Sequence, residues 1–494
     1  MTDDPAQTAA RPQARAPRGF NDRRARDLLG ERRLLAAVTS VYERYGFEPL
    51  DTGAFEYADA LGKFLPDADR PNEGVFSLQD DDDQWIALRY DLTAPLARFA
   101  AQNWETLPKP FRRYAAGPVW RNEKPGPGRF REFVQCDADT VGSARPEADA
   151  EIIAMAVEGL AAAGLPADAY VIKINNRKLL NGVLAAAGVR DEGQKLAVLR
   201  AVDKLDRLGA EGVRLLLGEG RLDESGAFTK GAGLAPAAVD SVVAFTEAGG
   251  GVRSQVLDRL SQVIGGSEEG EAGLQELAAI DRALAGLGVA EAAATFDPSV
   301  VRGLEYYTGP VFEAELLLQT LDEKGDAMRF GSIGGGGRYD DLVARFTGQQ
   351  TPATGFSFGV SRLSAALRAA GRDGAADARG PVVIINFDAA RMGDYFAMAG
   401  ELRAAGIPTE VYLGTSGMRP QMKYADRRLS PAAVIVGEDE FQAGTVTIKD
   451  LDLGRQLSAG VTDNAAWREQ RPGQLNVPRD QLVAEIRRIL GAAS

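Results

Sequence analysis

Apolar residues first recur at helical spacing between Arg18 and Tyr45, where Leu28, Leu29, Leu34, Leu35, Val38, Val41 and Tyr42 share one face. The pattern predicts an amphipathic helix, closed by Gly46 at the C-cap position. Phe47 to Phe55 then reads as a strand. Glu73 to Ala87 reads as a hairpin with Asp80 to Asp83 at its turn, and consecutive acids in a turn are usually solvated, so they receive no role. Phe111 to Gly142 forms a longer unit, FRRYAAGPVWRNEKPGPGRFREFVQCDADTVG. Two strand-like runs flank Lys124-Pro125-Gly126-Pro127-Gly128, which predicts a β-hairpin with a long tip. Alternation along the second run puts Arg131, Phe133, Gln135, Asp137 and Asp139 on one face and Val134, Cys136 and Ala138 on the other. Val119, Arg121 and Glu123 share a face of the first run. The apolar face suits a core, whereas the other carries an unusual mixture of arginines, acids, an amide and a ring.

Further on, Pro146 to Ala163 predicts a helix and Ala169 to Ile174 a strand. Residues 180–290 are Ala- and Leu-rich helices separated by Gly clusters, with no chemical motif. Strand signals resume at Phe296 and run to about Leu367. Ala370 to Gly380 has linker composition. Beyond it, strand Val382 to Asn386, helix Arg391 to Ala405, strand Thr409 to Leu413, helix Gly417 to Leu429 and strand Ala433 to Val436 alternate. That order predicts a separate parallel or mixed α/β layer.

Composition narrows the chemistry. A chain of 494 residues is too long for one ordinary core and predicts two to four domains. No stretch approaches the ~18 uninterrupted apolar residues of a spanning helix, so no membrane partner is expected. The first 17 residues lack an apolar core and read as a flexible tail rather than a signal peptide. A single cysteine excludes internal disulfides and Cys-based zinc sites and fits the reducing cytoplasm. The net charge of −13 argues against a uniformly basic nucleic-acid surface, so such a partner requires local basic patches. The chain has no histidine. Ser-His-Asp and Cys-His catalysis and zincin motifs are thereby excluded. Arginines, lysines, carboxylates, tyrosines and bound metal remain, a set suited to phosphoryl or nucleotidyl transfer, where positioning and charge do most of the work.

The pattern RNE, loop, GRFREFVQ resembles motif 2 of the class II aminoacyl-tRNA synthetases. LRYDLTAP (Leu88 to Pro95), VRGLEYYTGPVFE (Val301 to Glu313), GGGGRYDDLV (Gly334 to Val343) and GFSFGVSRL (Gly355 to Leu363) narrow the resemblance to the histidyl-tRNA synthetases. The helix-strand unit at 18–55 resembles motif 1, with Gly53 where the family has proline, and implies a homodimer. The fold implied is an α+β catalytic domain with an antiparallel sheet, residues 18–179 and 291–370. A helical insertion, 180–290, interrupts it and contacts the acceptor arm in the family. A tail (1–17), a linker (371–380) and a C-terminal α/β anticodon-binding domain (381–494) complete the chain.

The activity implied is ATP-dependent ligation of L-histidine to tRNA(His) through a histidyl adenylate, with magnesium arriving on ATP. By resemblance, Arg121 bridges the amino-acid carboxylate and the α-phosphate, and Arg302 stabilises the transition state from another side. Arg129 and Arg362 hold the γ-phosphate, Glu123 accepts from the adenine amino group, and Phe133 stacks on the base. Asp139 and Tyr307 take the imidazole, and Tyr306 and Tyr339 line its pocket. Asp91, Leu92, Thr93 and Gln135 surround the α-amino group. From the residues alone, Asp91 and Thr93 serve equally well as a helix N-cap. The run Gly334 to Gly337 lacks the Lys-Ser/Thr of a P-loop and points to close backbone approach. Ser361 stands where the family has Glu. The tip Gly126-Pro127 has no side-chain donor or acceptor, so no base contact to an extra 5′ guanosine is expected there. Two alternatives share parts of the pattern. A catalytically silent regulatory subunit of ATP phosphoribosyltransferase usually lacks the terminal domain. The threonyl enzyme requires zinc-binding histidines.

Overall fold

The computed structural model describes residues 12–64, 74–125, 130–222, 226–264, 266–301, 307–321, 327–372, 379–458 and 473–491. The apolar repeat from Leu28 forms α1, Arg26–Arg44. It begins later than the pattern predicts because Pro17 to Phe20 make a turn, with Phe20 N donating to Pro17 O at 3.1 Å and Gly19 at φ +87°. The single strand expected over 47–55 is two strands in two sheets. β1, Glu48–Pro49, joins the main sheet, and β2, Phe55–Tyr57, joins a small one. Pro49 has no N–H with which to continue a ladder. β3, Ser77–Gln79, and β4, Trp85–Leu88, form the predicted hairpin. In its turn Asp80 Oδ1 accepts from Asp82 N and Gln84 N, so at least one of the four acids is committed to the backbone.

After α2, Thr93–Asn103, come the motif hairpin strands β5, Phe111–Trp120, and β6, Glu132–Val141. α3, Pro146–Ala162, and β7, Tyr170–Asn176, follow. The helical stretch comprises α4, Arg177–Ala186, α5, Glu192–Val202, and α6, Leu205–Leu217. A two-stranded ribbon follows, β8, Gly220–Leu222, and β9, Phe228–Lys230. Then come α7, Pro236–Glu247, α8, Arg253–Val263, and α9, Glu268–Gly286. The chain returns to the sheet with β10, Ala294–Phe296, β11, Pro310–Leu321, β12, Ala327–Arg338, and β13, Ala353–Gly359, the last two separated by α10, Ala344–Thr347. α11, Val360–Ala369, closes this part.

The main sheet has the order β1-β5-β6-β13-β12-β11-β7-β10. Its centre is antiparallel, and only the outermost pairs, β1 with β5 and β10 with β7, are parallel. α1, α3 and α11 pack on one face, burying Val38, Tyr42, Val134, Ala138, Ile152 and Phe358. The same apolar cluster continues through α9 into α4 and α7, so the helical stretch shares a core with the sheet.

Ala376–Ser494 forms a second unit with its own core. Its strands are β14, Val382–Ile384, β15, Thr409–Val411, β16, Ala432–Ile435, β17, Thr445–Asp450, and β18, Gln474–Pro478, in the order β15-β14-β16-β17-β18. β14, β15 and β16 are parallel, as the alternation predicts, with α12, Met392–Ala404, and α13, Met418–Arg427, between them. β17 and β18 add an antiparallel half that the pattern did not predict.

Candidate active site

The site lies on the face of the main sheet opposite α1, α3 and α11, the face on which α2 packs through Leu96, Ala97 and Ala100. Along β6 the side chains alternate as predicted: Val134, Cys136 and Ala138 enter the core, and Gln135, Asp137 and Asp139 take the opposite face. That polar face is itself shut off from water, with Asp137 and Asp139 each 2% exposed. Buried carboxylates need partners. For Asp139 they come from three neighbouring segments. Arg113, which stands opposite it in the β5–β6 ladder, places Nη2 at 2.8 Å from Oδ2. The Tyr339 hydroxyl donates to Oδ1. On the other side β13 presents Gly355, where a Cβ would lie 1.9 Å from Oδ1. Only glycine leaves the carboxylate that space.

Arg113 is fully buried, and its Nη2 also donates to Leu92 O at 2.8 Å. Burial works against its cation, and the charges of Asp139 and Asp137 more than offset it. Burial likewise raises Asp139, against the pull of Arg113 and of Tyr339. Asp137 pairs across the ladder with Ala115 rather than with the arginine. Burial pushes its pKa up to about 8, opposed by Arg113. It therefore holds a proton at neutral pH.

The Leu88 to Pro95 segment lies beside this cluster. Asp91 Oδ1 accepts from Thr93 N at 3.1 Å and Ala94 N at 2.9 Å, so the carboxylate satisfies the first two N–H groups of α2 although the N-cap residue itself is Leu92. Burial raises its pKa, and the Ala94 bond and the Arg121 charge oppose the rise. Arg121 Nε donates to Tyr90 O at 3.2 Å, and its guanidinium sits 5.0 Å from the centroid of the Phe133 ring, a cation–π distance. Gln135 Nε2 donates to Ser357 Oγ at 2.9 Å. Tyr307 lies against the glycine run, with its Cδ1 2.8 Å from where a Cβ on Gly337 would be.

Asp91, Leu92, Thr93, Arg121, Phe133, Gln135, Asp139, Tyr307 and Tyr339 thus occupy adjoining strands and the segment before α2. Glu123 and Arg362 are exposed, outside the buried cluster; the Glu123 carbonyl accepts from Arg131 Nε, and Arg362 Nη2 donates to Phe330 O at 2.7 Å. Arg129, Arg302, Tyr306 and the Gly126-Pro127 tip lie outside the described residues.

The description "Histidyl-tRNA synthetase" belongs to the family model that matches residues 19–363, and "Anticodon binding domain" to the one that matches 381–488. The chain is 74% identical over 494 residues to the histidine--tRNA ligase of Caulobacter vibrioides, covering 99% of this chain and 100% of the relative. The chain belongs to the histidyl-tRNA synthetase family. It is also 56% identical to the histidine--tRNA ligase of Brucella suis biovar 1, covering 99% of this chain and 98% of that one. Among solved structures, a histidyl-tRNA synthetase from Nostoc sp. PCC 7120 superposes with a TM-score of 0.73 at 29% identity, over 97% of this chain and 99% of that one.

Within the histidyl-tRNA synthetase fold, Ser361, where the resemblance implied glutamate, is held by two hydrogen bonds. Its Oγ accepts from Val134 N at 3.1 Å and donates to Glu31, a buried carboxylate on α1 that also pairs with Arg23. Arg113 and Arg89, both buried beside the site, escaped the sequence reading. Arg113 follows a second arginine, Arg112, and only the inward phase of Phe111 would have told them apart. Arg89 lies over Gly117, where a Cβ would be 2.7 Å from Nη2, and donates to Thr52 O and Pro118 O.

Proposed function

We infer that this chain is an enzyme, a class II ligase that joins L-histidine to tRNA(His) at the expense of ATP through histidyl adenylate. The observation that carries the reading is the buried Asp139 carboxylate, fixed by Arg113, Tyr339 and Gly355, on the strand that also carries Phe133, the platform of Arg121. A polar pocket of this kind rejects side chains that leave its groups unpaired, which apolar pockets do not achieve. The catalytically silent regulatory subunit has less support, since the curated ligases align along their whole length and the terminal domain is present.

The residue assignments are ours. Asp139 and Tyr307 take the imidazole, with Tyr306 and Tyr339 lining its pocket. Asp91, Leu92, Thr93 and Gln135 receive the α-amino group. Arg121 brings the histidine carboxylate to the α-phosphate, where a carboxylate oxygen forms the new P–O bond and pyrophosphate leaves. Arg302 neutralises charge that grows in that step. Arg129 and Arg362 hold the γ-phosphate, Glu123 reads the adenine amino group and Phe133 stacks on the ring. Magnesium would be held by the nucleotide's phosphates, where it screens their charge. Among the described residues no group of three or more acids or thiols is gathered to hold an ion, and this chain's own contribution there is guanidinium.

For tRNA, α13 offers Arg419, Lys423 and Arg427, all exposed and four residues apart, a basic stripe on an acidic chain. For a homodimer, the β2-β4-β3 sheet leaves Tyr57, Ile86 and Leu78 aligned in one row, with Phe55 beside them. Tyr57 is 58% exposed and Leu78 47%, an apolar face of the kind that marks an interface. No helix among the described residues is long and apolar enough to cross a membrane. We place the enzyme in the cytoplasm, where its tRNA and ATP are. Charging of tRNA(His) transcript with labelled histidine, ATP and the purified chain tests the reading. Histidyl-tRNA(His) is expected, and failure to form it with demonstrably folded protein overturns the assignment.

A further inference from the structure

Arg113 has the position of a residue that acts on the substrate through another group. The β5–β6 ladder sets it directly opposite Asp139, and its Nη2 touches both the Asp139 carboxylate and the Leu92 carbonyl. One guanidinium therefore ties together the two ends of the amino-acid pocket. Nε and Nη1 make no hydrogen bond among the described residues, although the side chain is fully buried.

We propose that Arg113 is a positioning residue of the histidine pocket, which holds the Asp139 carboxylate charged and immobile so that it accepts a hydrogen bond from a neutral imidazole. This rests on the assignment of Asp139 as the imidazole partner. A carboxylate buried without a counter-charge takes up a proton, and a protonated carboxyl no longer discriminates as a pure acceptor. Asp137, two residues along the same face and paired in the ladder with Ala115, is raised by burial, with Arg113 opposing the rise from farther along the ladder. An unpaired Asp139 anion would also draw the imidazolium form of histidine. Arg113 cancels that attraction and would repel the extra cation. The remaining acceptor suits a neutral ring N–H, and Tyr339 and Gly355 hold it in one orientation.

The groups around Arg113 are few. Asp137 and Asp139 lie on β6, Asp91 precedes α2, Tyr339 follows β12, and Tyr42 and Cys136 lie behind the sheet. Burial raises both tyrosines and the thiol, so they stay neutral through the working range. The substrate imidazole, with a free pKa of ~6.5, changes charge within the range of the test.

The test is the KM for histidine in pyrophosphate exchange from pH 5.5 to 8.5, with the full chain. For the parent, KM should rise about tenfold per pH unit below ~6.5 with little change in kcat, following the neutral imidazole. Arg113→Leu should weaken histidine at pH 7.5 at least tenfold and lose that acid rise, while the KM for ATP stays within about threefold. Arg113→Lys, which keeps the charge, should restore the shape of the profile. Arg113→Leu with the parent's pH profile, at any affinity, overturns the proposal. A second measurement needs no variant: triazolylalanine, whose ring stays neutral in this range, should inhibit the parent equally at pH 5.5 and 7.5. A parallel loss of its affinity on acidification also overturns the proposal. Asp139→Asn separates the two layers, because an unchanged histidine KM there removes the imidazole assignment itself and not only the role of Arg113.

Discussion

At the scale of single residues, the site depends on small differences in who faces whom. Asp137 and Asp139 are equally buried neighbours on one strand, yet only Asp139 has Arg113 across the ladder. The protonation of Asp137 has a consequence for stability. Its pKa is about 8 in the folded chain against ~3.9 for an unperturbed aspartate, so between those values the native state holds a proton that the unfolded state has lost. The stabilisation it contributes is complete below pH ~4 and is lost as pH rises to about 8. The melting temperature of the parent should therefore fall, relative to Asp137→Asn, by on the order of 5 °C between pH 5 and 8, and level off above pH 9. A difference that stays constant with pH contradicts the buried proton. Gly355 gives a second prediction. A methyl group there meets Asp139 Oδ1 at 1.9 Å and backbone beyond it, so the carboxylate must turn away. Gly355→Ala should raise the histidine KM at least tenfold and the ATP KM less than threefold. Equal losses for both substrates would point to general damage instead.

Elements explain where the sequence was legible and where it was not. The motif hairpin, the polar face of β6 and the parallel half of the second unit could be read, because period-2 and period-3.6 patterns there are long and unbroken. The polar face was legible as unusual, but not as buried, since burial depends on what covers it. Arg113 beside Arg112 shows the limit: alternation says that one of the pair faces inward, and only the phase set by Phe111 says which. Ser361 and Glu31 are 330 residues apart and meet because α1 and α11 pack together. No local pattern encodes that contact. The same packing steadies the start of α11, which carries Arg362. α13 adds a prediction at this scale. Its stripe of Arg419, Lys423 and Arg427 is assigned to tRNA phosphates, so Arg419→Glu with Lys423→Glu should weaken tRNA binding at least tenfold. The slope of log affinity against log salt should become shallower by about one for each phosphate no longer neutralised. Histidine-dependent pyrophosphate exchange should not change, and its loss would show that the stripe serves the fold.

For the whole molecule, the chain forms two units with separate cores. The first holds every residue assigned to adenylate formation, and the second carries the basic stripe. A chain ending near residue 372 should keep histidine-dependent pyrophosphate exchange within about tenfold and lose at least a hundredfold in tRNA charging. Equal retention of both would remove the second unit from tRNA selection. In the proposed function, a pocket without a single histidine selects histidine by fixed polar partners. Pyrophosphate exchange with each of the twenty amino acids in turn tests it most directly. Exchange is expected with histidine and at least a thousandfold less with any other, including glutamine and asparagine. Exchange with a different amino acid at a comparable rate, or none with histidine, would contradict it.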